Sequence, residues 1–365
     1  MKLASLPTPC LVLDRDKLMG NIRAMAGNLA RHKVPLRPHM KTAKSIDVAR
    51  LVLANQPGGI TVSTLAEAEY FASHGIADIL YAVGITPGKL DQVATLNANG
   101  ANVTVITDDP LTADAISVHP ANIKALIEID CGEQRGGVLV AEGLISELAE
   151  RLGDRLIGVM THAGHSYQGR GVAEIAQIAE LERSHVVYAA ERLRAEGHAI
   201  SIVSAGSSPT GRHAETLTGL TEFRAGVYMF GDLFQAEIET HARDGIALTV
   251  LTSVIGSRPG RLLIDAGALA LSKDRSTEMS PNDFGFGLVM DIRGEMALGH
   301  AIVRKAYQEH GVIELDPSYP VEVPVGTKLR VLPNHACLTA AAHDRYHVID
   351  TEGDVVAVWP RMNGW

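Results

Sequence analysis

Hydrophobic and polar positions follow two interleaved rhythms over the first two thirds of this chain. Short apolar, β-branched runs at 35–39, 60–64, 78–83, 103–107, 125–130, 156–162, 200–206 and 223–228 read as strands. Between them, apolar residues recur near the helical period. Leu18, Ile22, Met25 and Leu29 follow Asp14, a residue type suited to capping a helix start. Helical stretches at 65–74, 89–99, 145–152 and 172–196 are followed by Gly75, Gly100, Gly153 and Gly197, the residue type that terminates helices. Eight strands alternating with helices predict an α/β fold of the (β/α)8 TIM-barrel type, although a doubly wound sheet has the same periodicity.

The helical rhythm fades after Asp232. Runs at 250–255, 261–265, 301–304, 328–332, 347–350 and 355–358 predict a β-rich C-terminal domain, to which 10–13 can add a strand. The pattern thus assigns 11–232 to the barrel and 1–10 plus 233–365 to the β-rich domain. With 365 residues, 46% of them apolar, both parts can bury a core. Cys10, Cys131 and Cys337 form an odd, sparse set rather than a disulfide framework, which points to a reducing, cytoplasmic setting. The first seven residues hold no signal-peptide core, and no apolar run is long enough to span a bilayer. A net charge of −9 without a basic stripe argues against a nucleic-acid partner, though acidity alone says nothing about a small-molecule substrate; no membrane partner is expected.

In such a barrel, chemistry belongs at the C-terminal strand ends. The first ends in Arg37-Pro38-His39-Met40-Lys41-Thr42. Lysine is the side chain that forms Schiff bases with carbonyl cofactors, though by itself the segment equally suits a surface lysine opening a helix. Arg135 closes the stretch from Asp130 through Cys131 and Gly132, where an exposed turn arginine is the plain alternative and Cys131 is a packing residue. His162 ends the sixth run, and His165, Ser166 and Tyr167 follow in a polar loop. The seventh run leads into Ser204-Ala205-Gly206-Ser207-Ser208-Pro209-Thr210-Gly211, small residues that let main-chain N–H groups approach a phosphate. The eighth leads into Arg224-Ala225-Gly226-Val227, and strands seven and eight commonly bind phosphate in these barrels. Late in the β-rich region, His335-Ala336-Cys337 would share one face of a strand, and imidazole with thiolate suits zinc. His343 and His347 could instead complete a closed, structural metal site.

From Thr8-Pro9-Cys10 to the His-x-Cys pair, the chain resembles the D-serine dehydratase and D-threonine aldolase group of alanine-racemase-fold enzymes. The resemblance implies that Lys41 carries pyridoxal 5′-phosphate (PLP) and acts as a base at Cα. It places Arg135 near the phenolic oxygen of the cofactor and His162 against its ring, with Tyr167 close by. Gly206, Ser207, Ser208 and Thr210 would then hold the phosphate together with Gly226 and Val227. Arg224 would face the pyridine nitrogen, keeping it unprotonated and the cofactor a weaker electron sink. His335 and Cys337 would bind a divalent metal, zinc by ligand type. In the aldolase branch the pair typically reads His-x-Asp, so the cysteine implies a dehydratase acting on D-serine or D-threo-3-hydroxyaspartate, with retro-aldol cleavage the alternative. A racemase requires a tyrosine from the C-terminal domain, and 265–272 contain none. A non-catalytic PLP carrier is a third reading. Relatives complete their sites across a dimer interface, which implies a homodimer.

Overall fold

The computed structural model describes residues 1–316 and 323–365. By contact, the chain divides into two compact units, residues 24–226 with 364–365, and residues 1–23 with 227–363. The sequence rhythm puts the changeovers at 10/11 and 232/233. The chain opens with β1 (Cys10–Asp14) and α1 (Arg15–Arg31). Asp14 caps that helix, its Oδ1 accepting from the N–H groups of Asp16 and Lys17 at 3.1 and 3.0 Å. Leu18, Ile22, Met25 and Leu29 form its buried stripe.

The 24–226 unit alternates strand and helix. Its elements are β2 (Leu36–Pro38), α2 (Ile46–Leu53), β3 (Ile60–Val62), α3 (Leu65–Ser73), β4 (Asp78–Gly84), α4 (Leu90–Ala98), β5 (Asn102–Thr107) and α5 (Pro110–Val118). There follow β6 (Ala125–Asp130), the two-residue β7 (Val138–Leu139), α6 (Leu144–Leu152), β8 (Leu156–Thr161), α7 (Val172–Ala195), β9 (Ile202–Ala205), α8 (Ser208–His213) and β10 (Glu222–Ala225). All eight expected strands form. They run parallel in the order β2-β10-β9-β8-β6-β5-β4-β3, and a bridge between His39 and Thr61 closes the ring. This is the (β/α)8 barrel, not the doubly wound sheet. α2, α5 and the short α8 are additional to the helices read from the sequence. α5 did carry a local signal, Asp109 capping Thr112 N with Pro110 in the first turn.

Leu80, Ile106, Leu126 and Met160, from four different strands, pack together inside the barrel. Next to them runs a chain of polar side chains. Arg37 makes a bidentate pair with Asp78 at 3.0 and 2.9 Å and donates from Nε to Glu222 at 2.6 Å. Glu222 accepts in turn from Ser204 Oγ at 2.6 Å, and Ser204 Oγ accepts from Arg224 Nη1. Arg37 and Arg224 are direct neighbours across the β2–β10 ladder, so the intervening carboxylate relieves the repulsion of two like charges.

The second unit continues with α9 (Leu233–Glu237), β11 (Leu248–Arg258), β12 (Arg261–Ile264), α10 (Ala268–Leu271), β13 (Leu288–Met290), β14 (Ile302–Ala306), β15 (Gly311–Glu314), β16 (Lys328–Leu332), α11 (Ala336–Ala341), β17 (Arg345–Ile349) and β18 (Val355–Pro360). Its sheet runs β12-β15-β14-β13-β16-β11-β1-β17-β18, and β12 also pairs with β11, closing an antiparallel barrel. β1 lies antiparallel to β11 and parallel to β17, so 10–13 do join this sheet. β13 and β15, of three and four residues, were absent from the sequence reading. The expected strand at His335–Cys337 is corrected: β16 stops at Leu332, His335 takes the N-cap position of α11, and Cys337 lies in its first turn. No helix among the described residues is long and apolar enough to cross a membrane.

The Arg37 ion pairs are nearly enclosed on the Glu222 side and open to water on the Asp78 side, with side-chain exposures of 12% and 51%. Arg37→Ala leaves Glu222 without its cation in the barrel interior and should cost about 3–5 kcal/mol in urea unfolding. Asp78→Asn, at the solvated end, should cost about 1 kcal/mol or less.

Candidate active site

The C-terminal ends of β2, β8, β9 and β10 converge, and their loops are locked by contacts that glycine alone permits. Gly206 follows β9 with φ +139°, and a Cβ there would collide with the main chain of Arg224. A Cβ on Gly226, just past β10, would meet His39 O at 2.9 Å and Thr42 Oγ1 at 3.1 Å, so this glycine abuts the turn that carries Lys41. His162, just beyond β8, bonds through Nδ1 to Gly206 O at 2.8 Å. Four strand ends thus surround one region, with Lys41 exposed beside it.

Gly206, Ser207, Ser208 and Thr210 are all buried. Ser207 and Thr210 form a reciprocal capping box, Thr210 N donating to Ser207 Oγ and Ser207 N to Thr210 Oγ1, both at 3.1 Å. Ser207 Oγ also meets Ser166 Oγ at 2.9 Å, joining this loop to the one after β8. Gly226 closes the 24–226 unit, and Val227, buried, opens the other with a turn of 3₁₀ helix. Tyr167 lies in the loop after His162, with ring centroids 6.5 Å apart.

The region is rich in positive charge. Arg224 is buried and donates to Ser204 Oγ and to Thr161 O. Arg135 is 59% exposed and pairs with Glu133 at 3.3 Å. Burial first, then the charges of Lys41 and of Arg135 and Arg224, push the His162 imidazole down to about 3. His39 is lowered too, by burial and then by Lys41, Arg224 and His162. A neutral His162 donates Nδ1–H to the Gly206 carbonyl and offers its ring face as an uncharged wall. The sequence reading passed over His39, although it sits two residues before Lys41. Cys131 is a buried thiol pushed up to about 12 by burial, which fits a packing role. An exposed lysine, an uncharged imidazole wall and small-residue loops fit the aldehyde, ring and phosphate of PLP.

His335 and Cys337 lie in the other unit. Asp232 holds the start of α11 by accepting from Ala336 N at 2.9 Å, and also caps α9 through Gln235 N at 2.8 Å. Asp274 faces His335, Oδ2 to Nδ1 at 3.4 Å. Burial opposes a proton on His335, but hydrogen bonds to Asp274 and to Cys337 outweigh it and raise its pKa. Imidazole and sulfur are therefore adjacent, with Nδ1 held by a carboxylate, as a metal-binding histidine requires. His343 Nε2 bonds to Ala270 O at 3.0 Å and His347 Nδ1 to Leu11 O at 3.2 Å. Among the described residues no group of three or more His, Cys, Asp or Glu is placed to hold a metal, and His335 and Cys337 stand as a pair with Asp274 beside them. Asp232 and Asp274 left no sequence signal, being 103 and 61 residues away from His335 (335 − 232 and 335 − 274).

His39 and His162 take up protons near pH 6.5 in the unfolded chain but only at much lower pH when folded. The unfolded state then holds more protons over that interval, so stability falls as pH drops. Denaturant titrations should show that fall between about pH 7 and about pH 5, and His162→Asn should flatten part of it. An unchanged slope in the variant would show that His162 is not held neutral.

The alanine racemase N-terminal domain model matches residues 13–233, and a serine dehydratase domain model matches 247–349. The D-threo-3-hydroxyaspartate dehydratase of Delftia sp. is 40% identical over all of this chain and 99% of its own length. Its solved structure superposes with a TM-score of 0.96, covering 100% of both chains, and a cysteine-to-alanine mutant of it is described in a metal-free form. The 3-hydroxy-D-aspartate aldolase of Paracoccus denitrificans is 32% identical, covering 99% of this chain and 92% of its own. The D-serine dehydratase of Dictyostelium discoideum is 28% identical, covering 99% and 98%. The chain belongs to the alanine-racemase-fold family of PLP lyases that includes these D-amino-acid dehydratases and aldolases.

Proposed function

We propose that the chain is a PLP- and metal-dependent dehydratase of small β-hydroxy-D-amino acids such as D-threo-3-hydroxyaspartate or D-serine, releasing a 2-oxo acid and ammonia. The observation that carries this reading is the cysteine in the His335–Cys337 pair, set beside Asp274 in a chain 40% identical end to end to a dehydratase. When bound, PLP supplies the electron sink that acidifies Cα. A divalent metal on His335 and Cys337 would supply Lewis-acid assistance to departure of the β-hydroxyl. The chain's own residues do the rest. Lys41 would hold the cofactor through Nζ and take up the Cα proton on the same atom. His162 stays neutral and acts as a wall, not as an acid. Gly206, Ser207, Ser208, Thr210, Gly226 and Val227 hold the phosphate, and Arg135 would stand by the phenolic oxygen and Arg224 by the pyridine nitrogen. Retro-aldol cleavage needs the same base and metal but would release glycine.

Borohydride reduction in the presence of PLP should fix the label on Lys41, and Lys41→Ala should abolish turnover. A label on Lys44, which pairs with the buried Glu67 at 3.0 Å, would overturn the assignment. Incubation with D-serine, D-threonine and D-threo-3-hydroxyaspartate should yield 2-oxo acid and ammonia, whereas glycine would make the chain an aldolase. Chelation should stop elimination while PLP stays bound and the far-ultraviolet spectrum is unchanged, and zinc should restore it. Full activity after chelation would remove the metal from the chemistry.

A further inference from the structure

One buried carboxylate lies outside the roles assigned so far. α7 turns an apolar stripe inward through Ile175, Ala179, Val186, Ala189 and Leu193, and Glu182 occupies the same stripe at helical spacing. The residue is 1% exposed. A carboxylate placed there is unfavourable unless hydrogen bonds replace the water it has lost. Its Oε1 accepts from Ala163 N at 2.8 Å and from Gly206 N at 3.1 Å, and a side-chain hydrogen bond joins it to Thr210.

Those three partners belong to different segments. Ala163 follows His162 at the end of β8, Gly206 follows β9, and Thr210 lies in α8. The His162 Nδ1 bond to Gly206 O at 2.8 Å closes a ring that runs from Glu182 to Ala163, His162, Gly206 and back. The Ser166–Ser207 hydroxyl contact at 2.9 Å runs beside it. The segment after β8 forms a short turn of 3₁₀ helix at Gly164–Gln168, the 206–210 segment runs into the six-residue α8, and the 24-residue α7 packs against both. Burial raises the carboxyl above its usual range, and the hydrogen bonds to Thr210, Ala163 and Gly206 work against that rise.

We propose that Glu182 is a positioning residue that sets the separation between the His162 wall and the 206–210 loop, so that a bound PLP meets its ring contact and its phosphate contacts together. This rests on the PLP reading above. Glu182 does not touch the cofactor and acts through two main-chain N–H groups. What matters is then an acceptor oxygen at the right reach, not its charge. Gln retains a carbonyl oxygen at the same distance along the side chain. Asp retains the charge but is one methylene too short to satisfy both donors.

The test is the PLP dissociation constant of the full chain, by absorbance titration, for wild type, Glu182→Gln, Glu182→Asp and Glu182→Ala, with the melting temperature of each PLP-free protein. Gln should bind within about threefold of wild type, while Asp and Ala should bind about tenfold or more weakly, because buried donors lose their acceptor. Should Ala fail to fold, the comparison of Gln with Asp decides. The proposal is overturned if affinity follows charge, with Asp like wild type and Gln weakened. It is equally overturned if all variants bind alike, or if affinity is lost only where the PLP-free chain has itself unfolded. A wild-type chain that takes up no PLP would sink the cofactor reading instead.

Discussion

The barrel is organised around a chain of buried polar contacts that crosses its interior. It runs from Asp78 through Arg37, Glu222 and Ser204 to Arg224 and ends on Thr161 O. Arg224 is buried within a parallel sheet, where an uncompensated guanidinium would be very unfavourable. Glu222 makes the placement tolerable by binding Arg37 directly and Arg224 through Ser204. Because β10 carries both Glu222 and Arg224, the same strand that balances the interior also sets where Gly226 meets the Lys41 turn.

The electrostatics of the strand ends follow from that arrangement. Burial first, and then the charges of Lys41 and Arg224, keep His39 and His162 from holding a proton, so the walls stay neutral beside cationic side chains. The second unit has the opposite character. There, Asp274 beside His335 and Asp232 at the start of α11 gather negative charge about an imidazole and a sulfur, a setting that favours a cation. A metal arriving at the pair must displace the proton of His335, which couples its binding to pH.

Much of the barrel was legible in the chain because most of its strands are buried and read as short runs rich in apolar residues. The catalytic candidates were legible for a related reason, since in this architecture a strand end is a site. His162 and Gly206 each close such a run, Lys41 follows one by two residues, and Arg224 lies within the last. His335 and Cys337 were picked out as a metal candidate by residue type, but the strand expected for them is the start of a helix. A His-x-Cys spacing lies on one face of a strand and equally across a helix start, and only the chain path after Leu332 separates the two.

The sequence by itself determined the alternation of elements and the β-rich change after the barrel, and it singled out the candidate lysine and the candidate His335–Cys337 pair. These rest on periodicity and residue chemistry, which are local. Tertiary structure alone decided that the sheet closes rather than lying open, because closure depends on the bridge between His39 and Thr61. It alone decided that His343 and His347 spend their nitrogens on the carbonyls of Ala270 and Leu11. It also brought Asp274 to His335 and Glu222 between two arginines. Each is a pairing of groups far apart in the chain, and no local pattern carries the register that brings such groups together.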